Sequence, residues 1–372
     1  MTKKTVDQKT LEIHAAVLRR RGGPLEIETI EMDAPGEEEV LVRLVASGIC
    51  RTDIDFIDAW YSAGDGELVL GHEGAGVVVE VGGRVQDVRR GDHVVLSYQS
   101  CGRCLPCRQG HPFCCERFWE ANFGFARLDG SNALWRSGVR GHFFGQSSFA
   151  THTLATERNL VKVDRGLSLE MLAPLGCGLQ TGAGTVLNSL AVPAGKSIAI
   201  FGTGSVGLAA VMAARLVGAD PVIAVDIVPH RLALARELGA SHAIDSRRPD
   251  LTASIAAITG SGVDYVVETT GSPQMQTLAR TMLNPHGTVA LLTGESGSGD
   301  LPEGRRTIGI IQGDAVPQFF IPKLVELYQD GKFPLDKLET FYNFRDINRA
   351  LDDIRRGQTI KAVLRIDNFR PS

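Results

Sequence analysis

The sequence is short of most features that would assign it quickly to a class. It has no basic excess: 39 lysines and arginines stand against 43 acids, for a net charge of −4. A general nucleic-acid or polyanion binder is therefore not expected, since such proteins carry surplus positive charge on at least one face. No apolar run approaches the length that spans a bilayer. The first residues, "MTKKTVDQKTLEIH", are charged and lack the apolar core of a secretory signal, so a cytoplasmic protein is expected, with residues 1–9 as a frayed tail. Internal repeats and low-complexity tracts are absent as well. The 372 residues are enough for two domains, each with its own core.

Cysteine is scarce too, at seven, yet five of the seven fall in "CGRCLPCRQGHPFCC" at 101–115. In a reducing compartment, thiols grouped like this are more often metal ligands than disulfides. Cys101, Cys104, Cys107 and Cys115 are spaced three, three and eight apart. Short CxxC steps wrap the chain around one ion, and the longer step brings a fourth thiolate from the far side. Zn²⁺ accepts four such soft ligands in a closed tetrahedron, which makes the site structural. A redox dithiol is the rival reading. Cys114 could replace its neighbour Cys115, but only one of the two side chains is expected to point inward.

Cys50 and Cys177 stand apart. Cys50 ends an alternating strand-like segment, "VLVRLVASGIC", and His72 and Glu73 follow in "LGHEGAGVVVEVG". Cys177 lies in the glycine-loosened "APLGCGLQTGAG". Two thiolates and an imidazole with an open position make a catalytic zinc site, with Glu73 as an occasional ligand or a supporting group. Asp53 is a candidate to hold the far nitrogen of His72. The bland alternative is that both cysteines are small buried hydrophobes.

Residues 197–207, "SIAIFGTGSVG", run from an apolar strand into Gly202, Gly204 and Gly207. A helical stretch follows, then the strand "PVIAVD" ending at Asp226, nineteen residues past the last glycine. That order is the dinucleotide fingerprint. The glycines let the backbone approach a pyrophosphate at a helix N-terminus, and the acid meets the adenosine ribose. Asp226 would repel a 2′-phosphate, favouring NAD over NADP, although Arg231 five residues on leaves NADP open. Strands and helices then alternate to about residue 311, the rhythm of a doubly wound parallel sheet.

These pieces together resemble the zinc-dependent medium-chain alcohol dehydrogenases over nearly the whole chain. "GHEGAG" at 71–76, the cysteine lobe, "GCGLQTGAG" at 176–184 and "GTGSVG" at 202–207 occur in the family's order. Within the family, "GHFFGQSSFATH" at 141–152, "LGCGLQTGAGTVLN" at 175–188 and "GDAVPQFFIPKLVELYQDGKFPLDKL" at 313–338 look most like benzyl and terpenoid alcohol dehydrogenases.

The resemblance implies an α/β protein with three parts. A β-rich GroES-like catalytic domain with a structural zinc lobe covers 1–179, and a Rossmann NAD domain covers 180–311. A C-terminal segment, 312–372, returns to the catalytic domain. It implies two zinc ions per chain, NAD, a homodimer or homotetramer, and reversible oxidation of a primary alcohol to the aldehyde. Cys50, His72 and Cys177 match the catalytic ligands, with Glu73 as the nearby acid. Cys101, Cys104, Cys107 and Cys115 match the structural ligands. Thr52 matches the hydroxyl that takes the alcohol proton. Arg51 and Lys361 match basic positions at the pyrophosphate, while Thr181 and Val206 match residues beside the nicotinamide. Asp55 stands where many members carry a relay histidine, and a carboxylate can also pass protons.

Aromatic residues are few: fifteen phenylalanines, five tyrosines and three tryptophans. Ten of them fall between Tyr98 and Phe149: Tyr98, Phe113, Phe118, Trp119, Phe123, Phe125, Trp135, Phe143, Phe144 and Phe149. Such enrichment suits a ring-bearing or isoprenoid substrate. Packing of the zinc lobe is the competing explanation. A dehydrogenase for a glutathione adduct of formaldehyde, or for a polyol, is the enzymatic alternative. A catalytically silent binding protein on the same fold is the other class to weigh.

Overall fold

The computed structural model describes residues 10–59, 66–293 and 299–370. The expected frayed tail, 1–9, lies outside them. The chain divides into two units. The first comprises Met1–Cys177, Val316–Pro322 and Glu339–Ser372; the second comprises Gly178–Ala315 and Lys323–Leu338. The C-terminal return to the first unit is thus made in two pieces, and the division falls inside the helix Pro317–Gln329 at its internal Pro322.

The first unit is built mainly on antiparallel strands; Glu339–Asn343 with Lys361–Arg365 and Glu67–Val69 with Val139–Arg140 pair in parallel. β1 (Thr10–Leu18), β2 (Leu25–Asp33), β3 (Glu39–Gly48), β4 (Glu67–Val69), β5 (Glu73–Val81), β6 (His93–Leu96), β7 (Val139–Arg140), β8 (His152–Thr156) and β9 (Leu160–Val163) follow in order. β2, β1, β4 and β7 make one sheet. The other runs Glu339–Asn343, Lys361–Arg365, β3, β5, β6, β9, with β8 also on β3. A core of Ile13, Val17, Ile30, Met32, Val69 and Leu154 fills the space beside the first sheet. Burial alternates over Glu12–Ala15 in β1 and Val42–Ala46 in β3, the period-2 pattern of one-sided packing, and both strands end in residues buried on both faces.

Two pairings position chemistry. β3 and β5 are antiparallel with Gly48 opposite Glu73, so the end of one strand and the start of the next deliver Cys50 and His72 to one place. A Cβ at Gly48 would lie 2.1 Å from Glu73 Oε2, so only glycine leaves room for that carboxylate. Lys361–Arg365 pairs with β3 on its other edge, which carries Lys361 to the same spot.

The second unit holds a seven-stranded sheet. Its strands are β10 (Ile198–Phe201), β11 (Val222–Asp226), β12 (His242–Asp245), β13 (Val263–Glu268), β14 (Leu283–Leu291), β15 (Gly299–Asp300) and β16 (Arg306–Gly309). The order is β12-β11-β10-β13-β14-β16-β15, and every pair is parallel except β15 on β16. Leaving out β15, this is the 3-2-1-4-5-6 order of a dinucleotide-binding sheet, whose crevice opens where the order reverses, between β10 and β13. β10 and β11 are buried throughout, as strands covered on both faces must be.

Candidate active site

Cys50, His72, Glu73 and Cys177 present ligand atoms that all lie within 4.8 Å of one another. All four are buried, His72 and Glu73 completely. Cys50 sits between β3 and the helix Arg51–Ala59, and Cys177 follows a tight turn, Ala173–Gly176.

Asp53 governs His72. Its Oδ1 lies 3.0 Å from His72 Nδ1 and accepts from Gly71 N at 3.1 Å, while Oδ2 accepts from Cys50 N at 2.9 Å. The proton is thereby placed on Nδ1, and Nε2 turns into the cysteine group. That Nε2 is buried with no hydrogen-bond partner among the described residues. A buried nitrogen lone pair facing two thiols and a carboxylate is the donor set of a zinc site, so the residues present fit the ion. Burial pulls the imidazole down, but Asp53 and Cys50 outweigh it and lift it to about 10. An ion at Nε2 takes the place of a proton. The Cys50 thiol is held well below its usual range, first by bonding with Cys177 and, against burial, by His72 and the charge of Lys361.

Lys361 corrects an expectation. Rather than lying free for a pyrophosphate, its ammonium is 1 % exposed and donates to Glu73 Oε1 and Oε2, both at 2.9 Å, and to the Ile49 carbonyl at 3.1 Å. Three acceptors occupy its three donors. Burial pulls Lys361 down, yet the Glu73 charge holds it above the ordinary lysine range. Arg51, the other basic candidate, is exposed and bonds Asp55 at 2.7 Å, one helical turn on. Asp55 is thus engaged at the surface of its helix. Thr52 Oγ1 lies 3.9 Å from Cys50 Sγ.

The second cluster is Cys101, Cys104, Cys107 and Cys115, again within 4.8 Å. None of the seven cysteines is in a disulfide, and Cys104 Sγ and Cys115 Sγ stand 4.0 Å apart, about twice a disulfide bond length. Cys101 N bonds Cys115 Sγ at 3.3 Å, and Cys104 N bonds Cys101 Sγ at 3.4 Å. Burial opposes ionisation of Cys101, but the N–H groups of Arg103 and Cys104 outweigh it and bring the thiol down to about 6. Of the adjacent pair, Cys115 is buried in the cluster and Cys114 is exposed. Four soft donors with N–H groups aimed at their sulfurs fit a closed zinc site.

In the second unit, β10 turns at Gly202 into the helix Ser205–Leu216. Gly202 has φ +87°, and a Cβ on Gly207 would lie 1.8 Å from the Gly202 carbonyl oxygen. A Cβ on Gly204 would meet nothing within 4 Å, so the space before the helix N-terminus is open. Such a cradle fits a dinucleotide diphosphate. Asp226 ends β11 and is nearly buried. Its Oδ2 accepts from Thr203 N at 2.6 Å and Thr203 Oγ1 at 2.8 Å, and its Oδ1 accepts from Ile227 N at 2.7 Å and Val228 N at 2.9 Å. The acid therefore also organises the glycine turn, a task its place in the fingerprint does not reveal. Arg231 is half-buried, with its Nε bonded to nothing among the described residues. Thr181 and Val206 lie on helices that touch at Gly182, where a Cβ would be 2.0 Å from the Val206 carbonyl oxygen.

The aromatic segment divides in two. Phe144 stacks on His72 with ring centroids 4.3 Å apart, and Phe123 meets Phe144 edge-on at 5.0 Å. Trp119 stacks on Phe123 at 5.1 Å and is 68 % exposed, so the rings run continuously from His72 to the surface. Phe143 and Phe56 back this row. The rest do other work: Tyr98 packs on Phe118, Phe149 lies against Gly71, and the Trp135 indole donates to Asp33. Phe144 holds φ +53°, a left-handed conformation that costs a phenylalanine about 1–2 kcal/mol.

A metal-binding β-rich unit joined to a dinucleotide-type sheet defines a dehydrogenase of the zinc class, and comparison with known proteins makes this specific. Residues 36–165 match the alcohol dehydrogenase GroES-like domain, and residues 205–311 match the zinc-binding dehydrogenase domain. The chain belongs to this zinc-binding alcohol dehydrogenase family of oxidoreductases. It is 44 % identical to geraniol dehydrogenase of Castellaniella defragrans over 369 residues, covering 96 % of this chain and 98 % of the relative. It is 33 % identical to S-(hydroxymethyl)glutathione dehydrogenase of a Synechocystis species, covering 95 % and 100 %. The crystal structure of benzyl alcohol dehydrogenase from Acinetobacter calcoaceticus superposes with a TM-score of 0.91 at 42 % identity, covering 95 % of this chain and 99 % of that one. Among the described residues, no helix is long and apolar enough to cross a membrane.

Proposed function

We propose that the protein catalyses the NAD-dependent, reversible oxidation of primary aryl and allylic alcohols to aldehydes, with one zinc held by Cys50, His72 and Cys177 and a second by Cys101, Cys104, Cys107 and Cys115. The observation that carries the substrate class is the row of rings from His72 through Phe144 and Phe123 to exposed Trp119. Apolar walls beside a polar centre select a ring or prenyl tail and leave the hydroxyl at the metal group. The geraniol and benzyl alcohol dehydrogenases it resembles support the same reading.

When bound, the catalytic zinc supplies Lewis acidity that lowers the pKa of a hydroxyl. The chain's own residues do the rest. Asp53 holds His72 in the tautomer that leaves Nε2 available. The Thr52 hydroxyl, beside Cys50, takes the alcohol proton as the first relay. Asp55, tied to Arg51, is the candidate outer relay. The open turn at Gly204 and the N-terminus of the following helix receive the diphosphate of NAD, and Asp226 repels a 2′-phosphate. Arg231 is assigned to the ribose end, and Thr181 and Val206 to the nicotinamide, by the family resemblance. A second copy of this chain is the expected partner, in a dimer or tetramer.

NAD reduction tests the reading, measured with benzyl alcohol, geraniol, ethanol, sorbitol, and formaldehyde plus glutathione. Each buried CH₂-sized group contributes roughly 0.8 kcal/mol, so benzyl alcohol and geraniol should exceed ethanol in kcat/KM by orders of magnitude. Equal efficiency with ethanol would remove the aromatic-wall assignment. Preference for the glutathione adduct would move the protein to that branch of the family.

A further inference from the structure

We infer that Gln146 is a positioning residue that sets the geometry of the Cys50–His72–Cys177 group, an inference that rests on the zinc assignment above. Gln146 lies within a tightly turning segment in which His142, Phe144, Gly145 and Ser147 all have positive φ. Three of those four are not glycine, so the turn is strained and must be held by what it contacts.

Its side chain is buried, and every polar atom in it is used. Oε1 accepts from Gly74 N at 3.1 Å. Nε2 donates to the His72 carbonyl at 2.9 Å and to the Ser97 carbonyl at 3.1 Å. The amide thus grips the backbone on both sides of Glu73, from the residue that carries the imidazole to the one after the acid. With both N–H groups facing carbonyls and the oxygen facing an N–H, the orientation of the amide is determined.

The grip extends to the other ligands. The Ser97 hydroxyl donates to the Gly176 carbonyl at 2.6 Å, one residue before Cys177. Two residues past Gln146, the Ser148 hydroxyl bonds that of Ser47 at 2.7 Å, in the strand that leads to Cys50. The Gln146 backbone is anchored in turn by the Thr153 hydroxyl on its carbonyl. One short segment, 146–148, therefore ties together the three stretches of chain that supply the ligands. The same turn lays Phe144 on the His72 ring. None of the side chain's partners is near Gln146 in sequence, and its bonds reach backbone, so the role is to fix where the ligands stand and not to touch substrate.

The test is the rate of zinc loss from the folded holoenzyme, followed with a chromogenic chelator well below the melting temperature. Gln146→Glu keeps the shape and the acceptor for Gly74 N but sets an oxygen against two carbonyls. Supporting groups of this kind alter metal affinity 10–100-fold. Zinc should leave the first group at least ~10-fold faster in Gln146→Glu, and kcat should fall while KM for NAD stays within about twofold. The phase from the Cys101–Cys115 group is the internal control. A purely structural role would lower the melting temperature without changing zinc loss from folded protein. Ser97→Ala, which cuts the link to Gly176 but leaves the Ser97 carbonyl for Gln146 Nε2, should show a smaller acceleration, and it reports even if Gln146→Glu does not fold. Wild-type release rates in Ser97→Ala and in any folded Gln146→Glu would overturn the inference. Wild type with no zinc in the first group would overturn the metal assignment itself, and the inference with it.

Discussion

Replacing Asp53 by asparagine asks how much one carboxylate does for the metal group. The side chain is fully buried and accepts three N–H bonds, from Cys50 and Gly71 backbone and from His72 Nδ1. Asparagine keeps the shape but only one acceptor oxygen. If that oxygen stays with Gly71 and His72, the new NH₂ meets the Cys50 N–H donor to donor. A buried N–H left unpaired costs about 1–3 kcal/mol. Losing the charge in the bond to His72 costs roughly 1 kcal/mol more, since a charged acceptor about doubles a hydrogen bond. We take about 3 kcal/mol in all, which lowers the melting temperature of a unit this size by about 6–12 °C. The imidazole also becomes a poorer donor to a cation, so zinc affinity should fall about 10–100-fold. Thermal melting with and without zinc reads the first effect, and competition with a chelator of known affinity reads the second. A variant that binds zinc within about twofold of wild type and melts within about 2 °C of it would refute this account of Asp53.

Three further outcomes are expected. Burial first, then the charge of Arg127, hold buried His142 down to about 4, against Glu39 and Asp129, whereas an unfolded histidine titrates near 6.5. The unfolded chain therefore binds the extra proton, and stability should fall as pH drops from about 6.5 towards 4; urea unfolding should show a loss between pH 7 and pH 5 about 2 kcal/mol larger in wild type than in His142→Gln, and equal losses would contradict it. Cys104→Ser should reduce zinc from about two ions per chain to about one and cost more in melting temperature than in the turnover of surviving protein, as a structural site requires; unchanged zinc content would exclude that role. Asp226→Asn should weaken NAD binding and narrow the preference over NADP, read by fluorescence titration of both, and it should also destabilise the turn through Thr203. A wild type that already prefers NADP would reverse the reading of Asp226.

What could be read from the sequence was what chemistry writes into residue identity. Zinc requires particular donors at particular spacings, so the two donor groups that the structure brings together could be picked out before any fold was known, and a dinucleotide turn requires glycines in a set order. Asp53 was accessible because it lies three residues from Cys50. Gln146 was not, because an amide bonding backbone carbonyls at residues 72 and 97 leaves no local pattern. Aromatic enrichment was visible, but its division was not: Phe144 and Phe123 stand beside His72, while Tyr98 and Phe149 pack elsewhere. Only the turn with positive φ at Phe144, which no propensity favours, decides which ring reaches the imidazole.

Lys361 shows why a charged residue is read wrongest when its partner is distant in sequence. The resemblance matched Lys361 to a basic position at the pyrophosphate, but strand pairing of Val363 with Gly48 brings Lys361 beside Ile49 and Glu73. The charges then explain why it stays. With zinc bound as proposed, the two thiolates would balance the divalent ion and His72 would be neutral as a ligand, while the carboxylate of Asp53 accepts from three N–H donors. Glu73 is the remaining negative charge, and burial pushes its carboxyl up, against the pull of Lys361. Turning Lys361 out towards a pyrophosphate would leave that carboxylate buried and unpaired beside thiolates, a penalty of several kcal/mol. A diphosphate contact repaid at solvent-screened strength would not offset it. The lysine is therefore held inward as the counter-charge that lets Glu73 stand buried beside Cys50, His72 and Cys177. On the proposed assignment, recognition of NAD would fall to the glycine turn and Asp226.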